Sequence, residues 1–225
     1  MTTIPLHDDV ELLDASAGEV TVEMAADGVE MPCVPPETNL AVRAARALRE
    51  ACGVARGVHI RIVKRIPVGA GLGGGSTDAA AVLNGLNELW GLGLSKERVC
   101  AIGAEVGSDV PALVLGGVVM MEGRGERVRA CDAGETPATL TFGENFVLRI
   151  PNVNASTARV YAEFREEDRG KCRNDLQPAA CRLYPIIAET IAEMEEEGLE
   201  DVQMSGSGSA VFGWRNASRL RLAQE

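Results

Sequence analysis

Apolar and other residues alternate along Val20–Met24 and again along Val58–Lys64. That period of two is the pattern of strands with one buried face. Between them, Pro32 to Pro36 reads as a loop and Asn39–Cys52 as a helix with Thr38 as its N-cap. A glycine-rich loop then feeds a helix to Trp90, and Ser95 opens another to about Val106. Val118–Glu122 and Arg127–Ala130 read as a hairpin around Gly123 to Gly125. Asp132–Pro137 is the loosest stretch, and the domain boundary is placed after it. Beyond it the pattern predicts a strand over Phe146–Ile150, a helix over Ser156–Phe164 and a charged loop over Arg165–Lys171. One long amphipathic helix, Pro178–Glu197, is expected to end at Gly198. Val202–Met204 and Ala210–Trp214 bracket the turn Ser205–Ser209. This order of elements predicts an α+β chain with two sheets, divided into domains 1–137 and 138–225.

The most informative stretch is Pro67 to Ala81, which holds Gly69, Gly71, Gly73, Gly74 and Gly75 ahead of an alanine-rich run. Glycine lets the backbone take positive φ and approach a ligand closely. Ser76, Thr77 and Asp78 are good helix-entry residues. A glycine loop opening a helix aims unpaired N–H groups and the positive dipole end at one spot, which suits phosphate. A Walker A loop needs a lysine before Ser76, where Gly75 stands. Gly69, Gly71 and Gly74 satisfy a dinucleotide fingerprint, but the acidic residue about twenty positions on, Glu88, falls inside the helical run. Both readings fail on their surroundings.

Composition narrows the class. The chain has 225 residues, 46% hydrophobic and 24% charged, with a net charge of −11. That is enough chain for a proper core, and the charge opposes a general nucleic-acid surface, which needs a basic stripe. Val110–Met121, the most apolar stretch, contains glycines and is too short to span a bilayer. The opening residues lack a basic and an apolar signal region, so a cytoplasmic location is expected. Six scattered cysteines form no C-x-x-C pair, which favours inert thiols over a metal or disulfide framework. His7 and His59 stand in no ligand-like cluster. The Glu193–Glu197 acidic run reads as a solvated helix face.

The whole string Pro67 to Ala81 resembles the ATP-binding loop of the GHMP small-molecule kinases. Its triple glycine followed by Ser-Thr-Asp-Ala-Ala is similar to the 4-diphosphocytidyl-2-C-methyl-D-erythritol kinase branch. Thr38–Leu48, Gly107–Pro111, Asn174-Asp175-Leu176 and Met204–Phe212 resemble four further family elements, in order and in register. The resemblance implies an S5-like N-terminal domain followed by a ferredoxin-like C-terminal domain. It implies ATP and Mg²⁺ as cofactors and a small-molecule acceptor, the cytidine diphosphate-linked methylerythritol, with no nucleic-acid or membrane partner. Asn39, Leu40, Lys64, Pro67, Gly69, Gly71, Leu72, Gly73, Gly74, Gly75, Ser76 and Thr77 match its ATP-binding positions, with Ser76 the candidate for the metal. Thr157, Gly206, Ser207 and Gly208 match substrate positions, as does Asn154 less closely. Asp109 matches the catalytic carboxylate, which orients or deprotonates the substrate hydroxyl.

Plainer roles stay open for several of these. Ser76 and Asp109 also suit helix caps, Lys64 an exposed strand lysine, and Gly206 to Ser209 an ordinary tight turn. The family's opening Ala-Lys-Leu-Asn-Leu strand, its Arg-x-Asp-Gly-Tyr-His element and its final strand have no counterpart; Met1 to Leu13 aligns with the segment that follows them. The expected activity is phosphorylation of the 2-hydroxyl of the cytidylyl substrate in non-mevalonate isoprenoid biosynthesis. The alternatives are a catalytically impaired nucleotide-binding fragment, or a relative acting on another alcohol such as homoserine or a sugar. A missing strand would leave backbone unpaired, so poor solubility is expected.

Overall fold

The computed structural model describes residues 1–26, 29–30, 35–123, 125, 127–131 and 145–215. Most of the loop expected over Pro32–Pro36, the hairpin tip at Arg124 and the boundary after Pro137 lie outside those residues. The chain divides into two compact units: Met1–Ile66 with Gly73–Thr136, and Pro67–Leu72 with Pro137–Glu225.

The first unit is built on a four-stranded sheet of β1 (Asp9–Ala15), β2 (Val20–Ala26), β3 (Val29–Glu30) and β4 (Gly57–Lys64), in the order β1-β4-β2-β3. β4 is central, antiparallel to β1 and parallel to β2. Its alternation sorts the two faces: Val58, Ile60 and Ile62 are buried, while Arg61 on the other face pairs with Glu11 at 2.7 Å and Glu23 at 3.5 Å, its register partners on the flanking strands. Against the apolar face lie α1 (Leu40–Cys52), α2 (Gly74–Leu89), α3 (Lys96–Val106) and α4 (Val110–Leu115). Alanines 44, 45, 79 and 80 are fully or nearly fully buried among Leu48, Val82, Leu83 and Leu86. A short hairpin, β5 (Val119–Glu122) and β6 (Arg127–Ala130), follows as expected.

The second unit carries the antiparallel sheet β7-β9-β8, from β7 (Phe146–Arg149), β8 (Leu199–Met204) and β9 (Val211–Arg215). α5 (Thr157–Glu163), α6 (Gln177–Leu183) and α7 (Pro185–Glu196) join its core through Val160, Ala179, Ala180, Ile187 and Met194. Phe146, Phe212 and Trp214 form a cluster of tilted and edge-on rings with centroids 5.4 to 6.1 Å apart. A 3-10 turn over Glu166–Asp168 lies inside the expected charged loop. There Arg182 closes on Asp168 with bonds of 2.6 and 2.9 Å.

Three local expectations are corrected. The α1 cap is Asn39, not Thr38: the Asn39 side-chain Oδ1 accepts from Ala41 N at 2.9 Å and Val42 N at 3.3 Å, whereas the Thr38 hydroxyl turns back to Pro35 O. The single helix Pro178–Glu197 is two, because Pro185 drives Tyr184 out of helical space to φ −136°, ψ 79°. α2 starts at Gly74 behind a left-handed Gly73 and has no side-chain cap, so Ser76, Thr77 and Asp78 sit within its first turns.

Candidate active site

In the first unit, β4 ends at Lys64 and α2 begins at Gly74. A Cβ on Gly74 would lie 3.3 Å from Lys64 Nζ, and one on Gly75 would lie 3.6 Å from Leu40 Cδ1. Leu40, Lys64, Gly74 and Gly75 therefore come together at the start of α2, where its orphan N–H groups point. Ser76 is half-buried beside them, and the Thr77 hydroxyl donates back to Gly73 O at 3.1 Å. Asn39 is nearly buried, its oxygen used by the α1 cap and its amide on Met24 Sδ.

Lys64 is not the exposed strand lysine left open above. It is 6% exposed and donates to Asp78 Oδ2 at 2.7 Å and to Asp8 Oδ2. Burial works against the Asp8 charge, but bonds from Ile66 N, Lys64 and Arg65 N outweigh it and hold the carboxyl below its usual range. For Asp78 burial wins: its carboxyl is pushed up to about 6, although Lys64 opposes the shift, and its buried Oδ1 has no partner among the described residues. Neither aspartate was singled out from the sequence. Asp78 stands in the glycine string but reads there as a helix-entry residue. Asp8 reaches Lys64 through the pairing that sets Asp9 opposite Val63.

Asp109 occupies the N-cap position of α4, with Pro111 in the first turn, yet its side chain makes no capping bond. The capping role left open above is thus not the one it plays. Burial raises its pKa, and the Met1 ammonium partly offsets that. Leu113, one turn further along α4, comes within 3.9 Å of a Cβ placed on Gly73.

In the second unit, Pro67 to Leu72 is laced to the Ser205–Ser209 turn. Ala210 N donates to Ala70 O at 2.9 Å, and the Ser205 hydroxyl donates to Gly71 O at 3.0 Å. A Cβ on Gly71 would stand 2.3 Å from Ser205 O, and one on Gly206 2.9 Å from Gly71 O. Asn154 Oδ1 lies where a Cβ on Gly69 would be, 2.0 Å away. Thr157 Oγ1 and Ser207 Oγ are 2.8 Å apart. The turn is therefore more than a tight connection, since its glycines permit close backbone approach. Among the described residues no three His, Cys, Asp or Glu side chains gather as a metal site, and Cys52, Cys100, Cys131, Cys172 and Cys181 are free.

Comparison with known proteins finds two family matches in the chain. The GHMP kinases N terminal domain matches residues 39–117, and the GHMP kinases C terminal domain matches 154–225. The chain belongs to the GHMP kinase family. A 4-diphosphocytidyl-2-C-methyl-D-erythritol kinase of Shouchella clausii is 39% identical over 95% of this chain and 75% of its own length. One of Pelotomaculum thermopropionicum is 37% identical, covering 95% and 78%. A crystal structure of 4-(cytidine 5'-diphospho)-2C-methyl-D-erythritol kinase superposes with a TM-score of 0.73 at 33% identity, covering 96% of this chain and 81% of that one. A homoserine kinase from Cytophaga hutchinsonii reaches 0.72 at 16% identity, covering 96% and 78%, and so shares the fold. These matches establish the GHMP kinase fold and a kinase that uses ATP. Among the described residues no helix is long and apolar enough to cross a membrane.

Proposed function

We propose that this chain transfers the γ-phosphoryl group of ATP to the 2-hydroxyl of 4-diphosphocytidyl-2-C-methyl-D-erythritol. The observation that carries the reading is identity of 37–39% along nearly the whole chain to kinases named for that alcohol. The geometry fits the chemistry. Phosphoryl transfer is mostly positioning and charge neutralisation. The N–H groups at Gly73 to Gly75 and the positive end of α2 would cradle the phosphates, with Ser76 and Thr77 beside them. Asn39, Leu40 and Lys64 would line the adenosine. Pro67, Gly69, Gly71 and Leu72 would complete the loop. Thr157 with Gly206, Ser207 and Gly208 would hold the alcohol.

Asp109 would orient the 2-hydroxyl and take its proton as the oxygen–phosphorus bond forms and the bond to the ADP leaving group breaks. Its raised pKa and the absence of a capping bond leave the carboxylate available for that work. Mg²⁺ typically keeps waters and one or two protein ligands beside the substrate phosphates; the Ser76 hydroxyl suits that role, and the ion would neutralise charge on the β- and γ-oxygens. The acceptor is a small molecule in the cytoplasm, in keeping with a net charge of −11 that disfavours nucleic acid. The division at Pro137 belongs to the same proposal, supported by domain matches that end at 117 and resume at 154.

The test is ADP release coupled to a chromogenic readout, with Mg-ATP and the cytidylyl alcohol, homoserine or a sugar as acceptor. Turnover with the cytidylyl alcohol that collapses in Asp109→Asn is expected. Turnover with homoserine or a sugar alone would overturn the assignment.

A further inference from the structure

The Asn174-Asp175-Leu176 element takes no part in the roles above, yet each of its side chains is committed. Leu176 packs against the core of the second unit. Asp175 Oδ1 accepts from Gly170 N at 2.8 Å, pinning a left-handed glycine at φ 73°. Asn174 Nδ2 donates to two carbonyls of the glycine turn, Met204 O at 2.9 Å and Gly206 O at 2.8 Å. Its Oδ1 accepts from Leu176 N at 3.0 Å, which fixes the amide plane and aims both N–H bonds at the turn. Gln177 adds a third tie to this segment by accepting from Met204 N at 2.9 Å.

The turn needs such a clasp. Gly206 and Gly208 take φ of 54° and 84°, and glycine has the most backbone freedom to lose on ordering. Only an amide puts two donors on one atom beside an acceptor; a carboxylate at position 174 would supply no donor and a serine only one. We propose that Asn174 is the positioning residue of the 205–209 turn. By holding the carbonyls on both sides of Ser205, it fixes the Ser207 hydroxyl against Thr157 for recognition of the alcohol substrate. This rests on the proposed role of Thr157 and Gly206 to Gly208 in binding that substrate.

The experiment compares Asn174→Ala with Asp175→Ala, which loses a bond from the same element but not from the turn. Asn174→Ala is expected to raise KM for the cytidylyl alcohol roughly tenfold or more, as small misplacements of contact groups do, with the KM for ATP changing less than about threefold. Amide hydrogen exchange at Gly206 to Gly208 should accelerate in Asn174→Ala and not in Asp175→Ala. An unchanged alcohol KM, or an equal rise in both KM values, overturns the proposal. If the wild type does not use this alcohol, the proposed function fails and hydrogen exchange alone decides: unaltered exchange at Gly206 to Gly208 overturns the clasp, and faster exchange upholds it. Should Asn174→Ala not fold, Asn174→Asp keeps the acceptor for Leu176 N, loses both donors and is read in the same way.

Discussion

Asp78 is a carboxylate held where it costs stability, and replacing it with asparagine should show this. Its carboxyl rises from an ordinary 3.8 to about 6 in the folded chain because burial outweighs the bond from Lys64. At 1.36 kcal/mol per pKa unit, ionising it within the fold costs about 3 kcal/mol. Asn mimics the protonated acid. It also leaves amide hydrogens where Oδ1 now has no partner among the described residues, a loss of about 1 kcal/mol. At pH 8, Asp78→Asn is therefore expected to be more stable by about 2 kcal/mol, or roughly 4–8 °C in melting temperature for a chain of this length. The sign follows from proton binding. Between pH 3.8 and about 6 the folded chain holds a proton that the unfolded chain has released, so wild-type stability rises as pH falls through that window. The advantage of the variant should shrink below pH 6, pass through zero at about pH 4.5 and turn into a deficit approaching about 1 kcal/mol at lower pH. Asp8, whose pKa is lowered, acts below 3.8 and leaves the window clear. Urea melts of both proteins at pH 4, 5, 6, 7 and 8 measure the difference. A variant less stable at pH 8, or a gap that does not change with pH, would refute the reasoning.

Asp109→Asn should lower kcat on the order of a hundredfold or more, as loss of a positioned base does, without lowering the melting temperature, because no capping bond is lost; the coupled ADP assay and a thermal melt check both. Gly71→Ala should be far costlier than Gly18→Ala. Both have positive φ, but a Cβ at Gly71 meets Ser205 O at 2.3 Å whereas Gly18 has open space; strain alone is about 1–2 kcal/mol, and denaturant unfolding would separate the two. Asn39→Ala should cost about 1 kcal/mol through the lost α1 cap, whereas Thr38→Ala should be nearly silent in the same melts. The Asp168 carboxyl is held at about 2, chiefly by the Arg182 bond, so its stabilising contribution persists above pH 3.8 and is lost as pH falls toward 2. Arg182→Met should weaken that acid-side dependence in pH-resolved melts, with the Arg165 N bond and Lys171 left to lower the Asp168 pKa.

Element order and the elements near the glycine loop were legible because they rest on local signals. β4 alternates, Ser95 does cap α3 through Arg98 N, and Pro111 does open α4. The misread points turn on rivalry between neighbours. Thr38 and Asn39 are both good caps, and only the backbone turn at Pro35 decides between them. Pro178 and Pro185 both suit a first helical turn, so the apolar period ran through a break that Tyr184 makes. Asp8 and Asp78 were missed for a different reason. Their chemistry arises from a contact 56 residues apart in sequence, and pairing register is not written in any one window. Asn174 was visible as part of a motif, but its work on Met204 and Gly206 belongs to the fold.

The glycine string itself shows why a motif can be recognised before it is understood. Read as sequence, its glycines have one shared purpose, a backbone that comes close to phosphate. In the structure they answer to different neighbours. Gly73 is left-handed at φ 68° to start α2, and Gly74 makes room for Lys64 and Ile66. Gly71 makes room for the carbonyl of Ser205 and the backbone of Gly208, and Gly69 for the Asn154 amide. The first pair belongs to the first unit and the second to the unit carrying the Ser205–Ser209 turn. A single substitution along the string should therefore fail in one of two ways. A side chain at Gly74 would press on the Lys64 ammonium and weaken nucleotide binding first. A side chain at Gly71 would displace the turn that Asn174 clasps and weaken alcohol binding first. A KM split of that kind between Gly74→Ala and Gly71→Ala would separate the two purposes, and equal losses for both ligands would mean that the string acts as one phosphate cradle.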